Sequence, residues 1–182
     1  MIAYWCMSYL LGTFLTAYVL GRLKGVALEH EGSGNLGARN AGRVLGGWAF
    51  FVTTLGDGLK GAIVVMLGHY YELPLAVIAT GLLFVTLGHV YPFWRRFKGG
   101  KGVATGVGGL LFMAPISVLL LLMGFLLVSM LTKSSTKGML GAFTLYGGYF
   151  IWTWQLATIP ILAVILLIVW ANKENIQEKV AT

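Results

Sequence analysis

Five stretches of this chain run almost without charge: Met1 to Gly21, Val44 to Tyr71 with Asp57 and Lys60 inside it, Leu73 to Trp94, Gly102 to Thr132, and Gly138 to Asn172. Each is long enough, as a helix, to cross the roughly 30 Å hydrocarbon core of a bilayer. The last two contain 31 and 35 residues. As straight helices they would measure about 45 to 50 Å at roughly 1.5 Å per residue, well beyond that core. Each is therefore expected to fold as a hairpin, broken at Pro115 in the first and at Trp154-Gln155 with Pro160 in the second.

The pattern predicts an all-α integral membrane protein, one domain over residues 1–182, built as a compact bundle of about seven transmembrane helices. Halving the 31-residue run leaves roughly 14 residues per helix, so several of the later spans are expected to be short and sheltered within the bundle. The 26 glycines fit such close packing, since small residues let helix backbones approach where lipid supplies no hydrophobic drive between them. Gly106, Gly108 and Gly109 are candidates for that approach. Composition agrees, with 58% hydrophobic against 10% charged residues. No basic segment precedes the first apolar stretch, which is expected to be retained as a span and not cleaved as a signal peptide.

The net charge of +7 does not indicate nucleic acid, because the basic residues sit in short loops between apolar stretches. Twelve of the 13 fall in four groups, Arg22 to Arg43, Arg95 to Lys101, Lys133 with Lys137, and Lys173 with Lys179; Lys60 alone lies inside a stretch. With both long runs folded as hairpins, all four groups face the cytoplasm, the N-terminus lies outside and the C-terminus is cytoplasmic. Cys6 is the single cysteine, and His30, His69 and His89 lack the spacing of a metal site. No metal and no cofactor is expected.

Two loops combine glycine with cations. In Gly32-Ser33-Gly34-Asn35-Leu36-Gly37-Ala38-Arg39-Asn40-Ala41-Gly42-Arg43, the glycines, Ser33, Asn35 and Asn40 supply a flexible backbone and neutral hydrogen-bonding groups. Arg39 and Arg43, four apart, would share one face of a helix. The loop reads either as a phosphate or carbonyl-oxygen site or as a cytoplasmic turn carrying topology signals. In Lys98-Gly99-Gly100-Lys101-Gly102, the glycines would let backbone N–H groups approach an anion and the two lysines supply charge. A Walker motif would require Ser or Thr where Gly102 stands, which argues against ATP hydrolysis. His89 reads equally as a satisfied buried imidazole or as a substrate contact. Asp57 and Lys60 can pair on one helix face, either as a structural ion pair or as part of a site. Ser134, Ser135 and Thr136, between Lys133 and Lys137, add hydroxyls to the same face. Neither a His-x4-Asp arrangement nor a Gly-x-Ser-x-Gly nucleophile elbow is present.

The first loop, together with Gly88-His89-Val90-Tyr91-Pro92 through Phe97-Lys98-Gly99-Gly100-Lys101-Gly102-Val103-Ala104-Thr105, resembles the signature motifs of the bacterial PlsY-type acyl-phosphate:glycerol-3-phosphate acyltransferases. Order, spacing and hydropathy agree over nearly the whole chain, including Asp57 with Lys60-Gly61 and Glu174-Asn175-Ile176 in the tail. The resemblance implies an enzyme of the bacterial cytoplasmic membrane, its site facing the cytoplasm, that moves a fatty acyl group from acyl phosphate to the 1-hydroxyl of glycerol 3-phosphate. Acyl phosphate, glycerol 3-phosphate and membrane lipids are the implied partners, and lysophosphatidic acid the product. It implies phosphate-binding or catalytic roles for Ser33, Arg43 and Lys101. Gly34, Asn35, Arg39, Asn40, His89, Lys98, Gly99, Gly100, Gly102, Thr136 and Asn175 are expected to line the substrate site.

Three places depart from the family's pattern. Arg39 stands where Thr is usual, Ser134 to Met139 stand where a Tyr-x-Ser-x-x-Ser-like pattern is usual, and Ala171-Asn172 stand where Arg-His is usual. The alternatives are accordingly a divergent paralogue, non-catalytic or of altered specificity, and a transporter of anions or lipid phosphates. A transporter would favour repeated halves or a continuous polar path, and the sequence displays neither.

Overall fold

The computed structural model describes residues 1–113, 115–153, 158–174 and 176. The first apolar stretch is not one helix but two, α1 (Ile2–Gly12) and α2 (Thr16–Leu23). The interruption contains no proline. Three successive carbonyls that it frees are taken by side chains from elsewhere: Lys60 Nζ donates to Gly12 O at 3.2 Å and to Phe14 O at 2.6 Å, and Trp94 Nε1 donates to Thr13 O at 3.1 Å. Backbone groups buried away from water need such partners.

After a loop comes the short helix α3 (Ala38–Leu45), ended by Gly46 at φ +97, and then the long α4 (Gly47–Tyr70). The 24 residues of α4 reach about 36 Å at 1.5 Å per residue, enough to span. Its buried face carries Ala49, Thr53, Asp57, Lys60, Gly61, Val64 and Gly68, a helical spacing. Next are α5 (Leu75–Val90), a single 3-10 turn at Phe93–Arg95, α6 (Val103–Met113), α7 (Pro115–Thr132), α8 (Ser135–Thr153) and α9 (Thr158–Ala171).

The break expected at Trp154-Gln155 lies outside the described residues, and Pro160 falls within the first turn of α9. In the first long run, 11 described residues belong to α6 and 18 to α7, which begins at Pro115. The short α6 is sheltered, lying against α4, α5, α7 and α9. Its glycines make that possible. A Cβ on Gly108 would run into the Gly58 carbonyl, one on Gly109 into Leu82, and one on Gly106 would stand 2.5 Å from Ile168 Cδ1. From the other side, a Cβ on Gly61 would run into the Thr105 carbonyl. Gly124, Gly138 and Gly141 perform the same service between α7 and α8.

Among the described residues, the largely helical segments Ile2–Leu23, Gly47–Tyr70 and Leu75–Arg95 are long and apolar enough to cross a membrane by themselves. The core between helices is filled by Leu82, Val85, Leu110, Tyr146, Val164 and Ile168, while Met130 (77% exposed), Leu131 (76%) and Trp152 (86%) turn outward. Large apolar side chains outside and Asp57, Lys60 and His89 inside is the arrangement expected of a bundle in lipid. α3, carrying two arginines and Asn40, packs against the start of α4 and against α2.

Candidate active site

The segment before α3 is organised by one side chain. Asn40, on the first turn of α3 and 2% exposed, accepts the Ser33 amide at 2.8 Å and donates to Leu28 O at 3.1 Å and to Glu31 O at 3.0 Å. Gly32 (φ +58) and Gly34 (φ +67) are left-handed, which bends the chain around this amide and presents Ser33 outward. Arg39 and Arg43 do fall on one helix. Arg39 reaches across to α8, donating to Ser135 Oγ at 2.9 Å and, at 3.5 Å, to Thr136 Oγ1.

The second loop is held differently. The Gly99 amide donates to Val90 O and the Gly100 amide to His89 O, each at 3.0 Å, folding the loop back on the end of α5. These two N–H groups are therefore spent on the protein and do not approach a ligand as the sequence reading expected. The glycines serve packing instead: a Cβ on Gly99 would run into the His89 carbonyl, and one on Gly100 into the His89 ring. Asn172 Nδ2 donates to Lys101 O at 3.3 Å and to Ile168 O at 2.8 Å, tying the loop to α9.

Beneath the loops lies a buried polar cluster. Asp57 Oδ1 accepts Thr16 Oγ1 at 3.1 Å and pairs with Lys60 Nζ at 3.1 Å, and Lys60 Nζ lies 2.7 Å from His89 Nδ1. His89 is thus both a partnered buried imidazole and part of the cavity wall. Nearer the surface, Glu29 Oε1 pairs with Arg22 at 2.8 Å and with Arg95 at 3.2 Å, and both guanidinium groups stand 4.9 Å from the Tyr18 ring centre. Burial pushes the Glu29 carboxyl up, but its backbone hydrogen bond, Arg95 and Arg22 together outweigh that and hold it below the ordinary range.

These elements enclose a cavity of about 1680 Å³. Ser33, Gly34, Asn35, Arg39, Asn40, Arg43, His89, Lys98, Gly99, Lys101, Gly102 and Thr136 all line it, so residues of the first loop, the second loop and α8 share one wall. Gly100 stands behind that wall, against the imidazole. Asn175 lies outside the described residues. The cavity continues into an apolar part lined by Phe50, Val107, Leu111, Leu121, Leu122, Phe125, Met139, Ala142 and Phe143. Sequence reasoning missed this part, as it missed Glu29, Trp94, Arg95 and Asn172, and it named Ser135 only as one of three hydroxyls on the same face. Of these, Asn172 had a signal, since it stands at a departure from the family pattern.

Residues 2–182 match the family model described as glycerol-3-phosphate acyltransferase. The chain belongs to this family. As a member it is 41% identical over 175 residues to glycerol-3-phosphate acyltransferase 1 of Bacillus cereus, across 94% of this chain and 96% of that protein. Against the glycerol-3-phosphate acyltransferase of Bacillus subtilis the identity is 35%, across 94% and 89%. The acyltransferase also resembles, with a TM-score of 0.90 and 28% identity, the crystal structure of PlsY (YgiH), an integral membrane glycerol 3-phosphate acyltransferase, in its glycerol 3-phosphate form. That likeness covers 99% of this chain and 92% of the other. A second structure of that protein, its lysophosphatidic acid form, gives 0.88. This chain is an all-helical integral membrane acyltransferase that acts on glycerol 3-phosphate in phospholipid synthesis.

Proposed function

We propose that the acyl donor is acyl phosphate, that the acceptor atom is the 1-hydroxyl of glycerol 3-phosphate, and that lysophosphatidic acid is released. The observation that carries this reading is the continuity of one cavity from a cationic, hydroxyl-bearing end at Ser33, Arg43 and Lys101 to an apolar end between α6, α7 and α8. A fatty acyl phosphate has the same two-part character. The gathering of cations from the first two basic groups around this end, with Ser135, Thr136, Asn172 and Glu174 from beside the other two, supports a site on the cytoplasmic face of the bacterial inner membrane, with seven spans and the N-terminus outside.

Acyl phosphate is already an activated mixed anhydride, so the protein must mainly orient two phosphates, offset their repulsion and stabilise the developing oxyanion. Arg43 and Lys101 supply the charge and Ser33 a hydroxyl. The 1-hydroxyl oxygen bonds to the acyl carbon, the bond from that carbon to the phosphate oxygen breaks, and phosphate leaves with the electron pair. Asp57 and Glu29 are committed to cations, which makes them poor bases. The hydroxyl proton passes to substrate phosphate.

Membranes containing the chain are expected to acylate glycerol 3-phosphate from acyl phosphate and to leave acyl-CoA and acyl-carrier protein unused. Product formation from acyl-CoA alone, measured as labelled lysophosphatidic acid, would overturn the donor assignment.

A further inference from the structure

The four side chains Thr16, Asp57, Lys60 and His89, each no more than 8% exposed, meet directly beneath the cavity wall. Lys60 Nζ faces four acceptors: Phe14 O at 2.6 Å, Gly12 O at 3.2 Å, Asp57 Oδ1 at 3.1 Å and His89 Nδ1 at 2.7 Å. The carbonyls only accept, and a buried carboxylate requires a cation beside it. Lys60 is therefore the ammonium, a group with three donors and no acceptor. His89 Nδ1 must then accept, and the single proton of a neutral imidazole is left on Nε2.

The Nδ1 edge of the ring is turned toward Lys60 in the bundle, while His89 also lines the cavity beside Gly99 and Lys101. Gly100 packs against the Nε2 edge, and an added Cβ there would collide with Nε2 first, then with Cε1 and Cδ2, so only glycine leaves room for a ligand atom beside Nε2. We propose that Asp57 and Lys60 are positioning residues that hold His89 as a neutral imidazole with its Nε2–H aimed at the cavity, a fixed donor for an oxygen of the phosphate or the acyl carbonyl. So held, His89 has no free lone pair and cannot serve as the general base. This inference rests on the acyltransferase reading above for the identity of the oxygen, but the tautomer itself is a property of the protein.

The tautomer is read directly from the imidazole nitrogen spectrum of 15N-histidine-labelled protein in detergent near pH 7, the His89 signals being those lost in His89→Gln. A protonated Nε2 with unprotonated Nδ1 is the expected result; a protonated Nδ1, in either the other tautomer or the imidazolium, overturns the proposal whether or not the enzyme turns over.

Kinetics test the consequence. His89→Asn keeps an acceptor for Lys60 but has no atom at the Nε2 position, whereas His89→Gln reaches that position with a donor and gives up the Lys60 bond. Loss of one aimed donor typically lowers kcat by about a hundredfold or more, so His89→Asn should fall by that much at a near-normal melting temperature, and His89→Gln should stay within about tenfold while melting lower. Activity that instead follows stability, with Asn above Gln in both, rejects the donor. The paired Asp57→Asn/Lys60→Met variant, which leaves no lone buried charge, should lower kcat in the wild-type background and not further in the His89→Asn background. Equal losses in both backgrounds mean that the pair does not act through His89. Failure of the wild type with every acyl donor sinks the acyltransferase reading and leaves the nitrogen spectrum to decide this one.

Discussion

The two glycine-rich loops of the cavity wall look alike in composition and are built on opposite plans. Residues 28–34 are wrapped around a side chain, with Asn40 making three hydrogen bonds to the backbone while Gly32 and Gly34 supply left-handed turns. Residues 96–102 are pinned backbone to backbone on the end of α5, and Gly99 and Gly100 are required because His89 leaves no room for a Cβ. In that loop the left-handed residues are Arg96 (φ 52) and Phe97 (φ 59), together with Gly102 (φ 77). A glycine in a basic loop thus means a turn in one case and a close approach in the other. One loop depends on a single side chain, and the other on the absence of several.

The sharpest way to break this comparison is Asn40→Ala. It leaves Leu28 O, in a fully buried residue, without its donor, and a stability loss of about 2–4 kcal/mol is expected from stranding such groups. Chemical unfolding in detergent would measure it, and a loss below 1 kcal/mol would mean that the first loop is not built on Asn40. Gly100→Ala attacks the second plan. Overpacking of this kind costs about 1–3 kcal/mol, with transfer activity falling because the imidazole and Lys101 shift together. Gly148→Ala is the control, having open space around the added methyl.

Glu29 joins the two regions through Arg22 and Arg95 and gives a smaller, pH-dependent effect. Its carboxyl is held below the ordinary 4.5. The unfolded chain therefore takes up the proton first, and the stabilisation is complete above that value and lost as pH falls through the lowered folded one. Melting curves of the wild type and Glu29→Gln should be separated at pH 6 and converge in acid; a gap that widens in acid reverses the sign and refutes the account. Smallest is Arg39→Thr. The guanidinium is exposed and bonded to Ser135, so KM for glycerol 3-phosphate is expected to rise by less than about fivefold, as exposed charges contribute little. An unchanged KM would remove Arg39 from substrate binding and leave it as a link between α3 and α8.

Features set by local chemistry were legible in the sequence. Pro115 stands at the first described residue of α7, the spacing of Arg39 and Arg43 belongs to a helix, and Asp57 with Lys60 pairs on one face. What was hidden depends on distant partners. Nothing between Gly12 and Leu15 announces a break, because the groups that stabilise it come from Lys60 and Trp94. Gly99 and Gly100 promised amides to a ligand, and the choice of their acceptors is made by the end of α5. The apolar part of the cavity is lined by residues such as Leu121, Phe125 and Phe143, whose types are equally suited to core, to lipid and to an acyl chain.

The broken first span also constrains how the protein assembles. Gly12, Thr13 and Phe14 expose carbonyls that hydrocarbon cannot solvate, at several kcal/mol for each. A nascent first segment alone in the bilayer is therefore better off as one unbroken helix. It acquires its bend when the second span delivers Lys60, and the bend is completed when the third delivers Trp94. Insertion order is thereby written into the resting shape: the first span is remodelled by its successors, and truncated chains ending before Lys60 should carry it straight.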